Sequence, residues 1–176
     1  MALDTYVLLA NQYNTEADAV ADFEAVRKLY TDLNIVDTYD AAVLTRTPDG
    51  KVHIVKRVEE PARQAGAVGL ITGLAIGAAV ALFPAVALGM GTAMLGGGAL
   101  GAGVGALAGH VAGGMKRSDL KDLGELLDYG TSGLLVVAAA DLETRADAAI
   151  THAKKRAKAR LQADTDALKN EIDLAA

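Results

Sequence analysis

The sequence predicts an α+β fold, an antiparallel sheet with helices packed on it and a glycine-rich helical hairpin spliced into its middle. Three observations predict it. Short runs of β-branched and aromatic residues alternate with helical periodicities on both sides of the chain's centre. From Gln64 to Met115 there is no Lys, Arg, Asp or Glu, a run of 52 residues. Glycine recurs at every fourth position in both halves of that run. A chain of 176 residues suits one domain carrying one large insertion.

Thr5–Asn11 is a first strand, and Asn14-Thr15 with Glu16 and Asp18 supplies the cap and early acidic charge of a helix. In that helix Ala19, Phe23, Val26, Tyr30 and Leu33 recur at steps of four and three, so one face packs on a sheet. Tyr39–Thr47 and Val52–Val58 flank Pro48-Asp49-Gly50, which fits a β-hairpin turn. Beyond the insertion, Ser118 caps a short helix lined by Leu120, Leu123 and Leu127, and Gly130 stops it. Gly133–Ala140 is continuously apolar, as expected of a central strand covered on both faces. Asp141 then caps a long terminal helix whose stripe is Ile150, Ala153, Ala157, Leu161, Leu168 and Ile172.

With the insertion removed, the order is strand, helix, strand, strand, helix, strand, which is the ferredoxin-like βαββαβ arrangement. The expected divisions are 1–63 and 118–141 for the two parts of that unit, 64–117 for the hairpin, and 142–176 for an amphipathic C-terminal helix.

The hairpin's physics follows from its composition. A bilayer crossing takes about 20 residues, so two crossings and a turn fit, with breaks at Pro84 or Gly96–Gly98. Gly69, Gly73 and Gly77 form a ridge on the first arm and Gly97, Gly101, Gly105, Gly109 and Gly113 on the second. Such ridges let backbones approach closely where lipid offers no hydrophobic drive, and they predict self-association. Arg63, Lys116 and Arg117 flank the hairpin, which puts the α/β domain and both termini in the cytoplasm. The alternative is a soluble homo-oligomer that buries its hairpins inside.

The stretch Asp119-Leu120-Lys121-Asp122-Leu123-Gly124-Glu125-Leu126-Leu127, followed by Gly130-Thr131-Ser132-Gly133-Leu134-Leu135-Val136-Val137, resembles a family of small bacterial membrane proteins known as domain of unknown function twelve-sixty-nine. The zipper is the second point of similarity, and the likeness covers nearly the whole chain. Where that family often has a Pro-Pro-Gly turn, this chain has Phe83-Pro84-Ala85. The resemblance implies the bacterial inner membrane and a stress or envelope-homeostasis role, and it carries no catalytic residues with it.

The remaining chemistry is sparse. A net charge of −5 disfavours nucleic acid as a partner. There is no cysteine, and His53, His110 and His152 show no ligand spacing, so no metal or cofactor is expected. Gly96-x-Gly98-x-x-Gly101 fits a dinucleotide fingerprint literally, but no strand precedes it. His110 is the one group of the insertion able to titrate near neutrality. The basic run Lys154, Lys155, Arg156, Lys158 and Arg160 is a candidate lipid-headgroup contact or an ordinary solvated face. The expected partners are the protein itself and membrane lipids, and the expected function is a non-enzymatic scaffold, with a pore or a soluble binding module as alternatives.

Overall fold

The computed structural model describes residues 4–34, 39–49, 52–57, 75, 78, 79, 82, 113–128 and 130–163. Its elements are β1 (Asp4–Tyr13), α1 (Glu16–Asp32), β2 (Tyr39–Arg46), β3 (Val52–Arg57), α2 (Arg117–Glu125), β4 (Ser132–Ala139), α3 (Glu143–Ala149) and β5 (Lys155–Ala163). A short 3-10 turn, Ala140–Leu142, leads into α3. The strands form one sheet in the order β3-β2-β4-β1-β5, every neighbouring pair antiparallel.

The two faces of this sheet are read directly from the alternation of its strands. On one face Val7, Leu9, Tyr13, Ala41, Val43, Leu134 and Val136 meet Ala19, Phe23, Val26 and Tyr30 of α1 and Ala146 of α3. Fully burying Phe23 or Val26 in this layer contributes about 1.5–3 kcal/mol each. Tyr30 stacks on Tyr39 with ring centroids 4.0 Å apart. α1 starts where expected: Thr15 is its N-cap and accepts the Asp18 N–H at 3.2 Å. Its apolar stripe is buried as the spacing requires, with Leu33 at the C-cap half-buried.

The opposite face carries Tyr6, Leu8, Ala10, Ala42, Leu44, Leu135, Val137, Ala159 and Leu161. It is covered by Leu123 and Leu127 near α2 and by Ala75, Ala78, Ala79 and Leu82, which are helical. β4 lies between β1 and β2 and is buried over seven of its eight residues, as a strand covered on both faces should be. The β2–β3 hairpin forms around the Pro48-Asp49 turn, with a register shift between Val43 and Leu44.

Two expectations are corrected. The long terminal helix over 142–176 is not what the described residues form: α3 ends at Ala149 and Lys155–Ala163 is a strand paired with β1. The reason is the alternation Ala157, Ala159, Leu161 against Arg156, Lys158, Arg160, whose period of two puts every apolar residue on the sheet's buried face. Residues 164–176, with Leu168 and Ile172, lie outside the described residues. The second correction concerns caps. Lys116, not Ser118, is the N-cap of α2 and makes no side-chain capping bond, while Asp141 sits in the 3-10 turn and Leu142 is the N-cap of α3.

Candidate functional site

Two polar arrangements stand out against an otherwise apolar architecture. The first holds the roots of the glycine-rich segment. Ala75, Ala78, Ala79 and Leu82 are spaced i, i+3, i+4, i+7, so a helix turns all four to one side. The three alanines are 0% exposed against the sheet. Asp40, buried on β2, accepts the Ala75 backbone N–H at 3.0 Å and so fixes where this stripe begins. At Leu82 the chain passes Gly124 of α2 so closely that a Cβ there would lie 3.2 Å from the Leu82 carbonyl oxygen.

The segment's other root is at Gly114. Its carbonyl accepts the Gln162 N–H at 3.0 Å on the outer side of β5. A Cβ at Gly114 would fall 2.1 Å from the Gln162 carbonyl oxygen and 2.8 Å from Leu161 Cδ1. The docked alanines with Leu82 and, separately, Gly114 thus both rest on the sheet. Between α2 and the sheet lies a gap of ≈ 10 Å³ lined by Leu44, Leu123, Leu127 and Leu135, room for a water molecule and no larger ligand.

The second arrangement joins three elements around Asp22, an acid on the buried face of α1. Tyr13, the last residue of β1, donates its hydroxyl to Asp22 Oδ2 at 2.9 Å. The His152 backbone N–H donates to the same oxygen at 2.9 Å, and His152 Nδ1–H donates to Oδ1 at 2.6 Å. Thr151 Oγ1 lies 3.4 Å from Oδ1. Tyr13 and Asp22 are both 0% exposed, whereas the His152 side chain is 51% exposed. Burial alone would raise the Asp22 carboxyl, but the bonds from His152, Thr151 and Tyr13 outweigh it and hold the group below the usual carboxylate range. The hydrogen bond and charge of Asp22 push His152 above its ordinary value, and burial beside a carboxylate pushes the Tyr13 phenol up. The pair is a carboxylate-oriented imidazole. Nε2 is the ring nitrogen that Asp22 does not engage, and the imidazole holds its proton more firmly than a free one does.

Of the residues singled out by sequence, Arg63, Gly69, Gly73, Gly77, Gly97, Gly101, Gly105, Gly109 and His110 lie outside the described residues. Gly113 is exposed, and a Cβ there would meet nothing within 4 Å. The close approach belongs to its neighbour Gly114. Lys116 and Arg117 are exposed at the start of α2. The basic run is on and just before β5, and three of its cations have local acidic partners: Lys155 with Asp128 at 3.0 Å, Arg156 with Asp147 at 3.4 Å and Lys158 with Glu143 at 2.7 Å. The Asp22 cluster was not anticipated. Its signal was an acid placed one turn from Ala19 and Val26 on an apolar stripe, where a carboxylate needs partners.

Among the described residues no group of three or more His, Cys, Asp or Glu is placed to hold a metal ion, and no helix is long and apolar enough to cross a membrane. Compared with protein-family models, with curated proteins and with solved structures, the chain matches none of them.

Proposed function

We propose that the chain is a non-enzymatic, self-associating, membrane-associated protein in which a ferredoxin-like unit carries a glycine-rich hairpin. Support for the ferredoxin-like reading is the order β2-β4-β1-β5 with α1 and α3 on one face, β3 being an added edge strand. On this reading the second helix of the unit is α3. The helix α2 belongs to the insertion, on the other face.

The observation that carries the proposal is the docking of Ala75, Ala78, Ala79 and Leu82 on the sheet. It anchors the charge-free segment to the sheet at Leu82, and Gly114 anchors it again. The 31 residues 83–113 lie between them. Two arms of about 13 residues reach about 20 Å each, short of a hydrocarbon core about 30 Å thick. The hairpin therefore enters one leaflet from the cytoplasmic side, or packs with hairpins of other copies, rather than crossing twice. A helix continued through Gly69, Gly73 and Gly77 at 100° per residue would set them roughly 130–170° from the docked alanine stripe, where a second backbone could approach. The resemblance of residues 119–137 to a bacterial membrane family supports an inner-membrane location and an envelope or stress role.

A soluble homo-oligomer is the second reading. It is favoured by the complete burial of the alanines on protein rather than lipid.

The test is an alkaline carbonate wash of membranes containing native, untagged protein, followed by sizing in mild detergent. Wash-resistant oligomers, lost when Gly101, Gly105 and Gly109 are replaced by Leu, are the expected result. Washed-out monomer refutes the proposal. Large detergent-free particles establish the soluble assembly instead.

A further inference from the structure

The geometry points to a proton-operated latch in which Asp22 grips His152 and so holds β5, together with the second root of the glycine-rich segment, closed on the sheet. The inference rests on the membrane reading only for its last step, the exposure of the segment.

The mechanical link is β5 itself. Its first residues follow the gripped turn, and Lys154 N–H is bonded to the Gln12 carbonyl at 2.8 Å beside Tyr13. Its last residues, Leu161 and Gln162, hold Gly114. β5 is an edge strand with β1 as its sole strand neighbour among the described residues, so it lacks the second ladder that steadies a central strand. Elements with few cross-chain partners are the ones that open locally below the global unfolding free energy.

The groups that act on the imidazole are Asp22 and Asp18 from α1 and the adjacent Thr151 hydroxyl, 3.1 Å from Nδ1; Tyr13 from β1 bonds the same Asp22 carboxylate, and Arg156 from β5, engaged with Asp147 and the Ile150 carbonyl, acts on Tyr13. Because the folded state raises the affinity of His152 for its proton, the stabilisation is fully present below 6.5 and is lost as pH rises through the higher folded value. Asp22, lowered from 3.8, gives the opposite arm: its contribution is present above 3.8 and lost as pH falls through the lower folded value. The latch is tightest between the two. Above that window a neutral His152 still donates from Nδ1, but without the charge.

The experiment follows the His152 ring proton by NMR and the hydrogen exchange of the Lys155–Ala163 amides in the full chain, corrected for intrinsic rate, at pH 6 and pH 8.5. Wild type is compared with His152→Asn, whose amide keeps a donor for Asp22 and does not titrate. A His152 titration above 6.5 is expected, with β5 protection falling about threefold in wild type, the scale of a half-exposed ion pair, and not in the variant. A titration at or below 6.5, or the same pH course in both proteins, overturns the latch. Flotation with phosphatidylglycerol vesicles is the second arm. Binding that rises as β5 protection falls supports the coupling, and equal binding at both pH values overturns it. No binding at either pH refutes the membrane reading and leaves the exchange result to judge the latch itself.

Discussion

Replacing Gly114 by Ala tests the seat of the hairpin's second root. The new Cβ would lie 2.1 Å from the Gln162 carbonyl oxygen and 3.1 Å from its carbon, contacts with backbone that no rotamer change relieves. Either β5 moves off β1 or residues 113–115 lift away, and in both cases the Gly114–Gln162 hydrogen bond goes. Overpacking of this kind costs about 1–3 kcal/mol, and the lost bond adds about 1 kcal/mol. The expected destabilisation is about 2–4 kcal/mol. Gly113→Ala is the internal control. It has open space around it and no positive φ, so it should change stability by no more than about 0.5 kcal/mol, or stabilise slightly. Urea unfolding followed by far-ultraviolet circular dichroism reads both. If Gly114→Ala stays within about 0.5 kcal/mol of wild type, the close seat does not exist. If Gly113→Ala is the damaging one, the zipper register read from sequence governs this root instead.

Asp40→Ala should leave the buried Ala75 N–H without its acceptor, destabilise by about 1–3 kcal/mol and speed proteolytic cutting after Leu74, whereas Asp40→Asn keeps an acceptor and should do less; limited proteolysis with mass mapping decides. Tyr13→Phe removes a bond to a buried carboxylate and should cost about 1.5–3 kcal/mol in urea unfolding. In wild type, Tyr13 and Tyr30 should both stay protonated at pH 11 while the fold persists, because burial raises both phenols; titration of the 295 nm absorbance should show their share of ionisation only on unfolding. Ala79→Leu forces extra methylenes into a position with 0% exposure and should cost about 1–3 kcal/mol, measured as a lowered urea midpoint.

Periodicity carried the reading of the first half of the chain and of β4. The stripe of α1, the Pro48-Asp49 hairpin and the continuous apolar run of β4 are local signals, and each element forms where its signal lies. At β5 the local signals conflict: Lys, Arg and Ala are strong helix formers, and the alternation of period two that the sheet selects is the weaker pattern in the sequence. Which strands are neighbours depends on contacts such as Leu9 with Val136, and no local pattern encodes those. The same limit applies to the polar sites. Tyr13 and Asp22 are close in sequence, but their third partner, His152, is 130 positions from Asp22. The functional weight of glycine was read from its repeat, yet Gly114 matters through what it touches rather than through its place in the series.

The position of β4 has a consequence for the order in which the molecule comes into being. β1 and β2 are not paired with each other; each pairs with β4, which begins at Ser132. On the ribosome, where synthesis runs at about 5–20 residues per second, the first 57 residues can close little more than the β2–β3 hairpin. The charge-free segment from Gln64 to Met115 is then complete about 1–3 s before the strand that completes the sheet begins. During that interval its apolar surface has no intramolecular cover, and whatever meets the nascent chain, lipid, chaperone or a neighbouring copy, meets it first. The topology therefore makes the finished sheet the last of these covers to arrive.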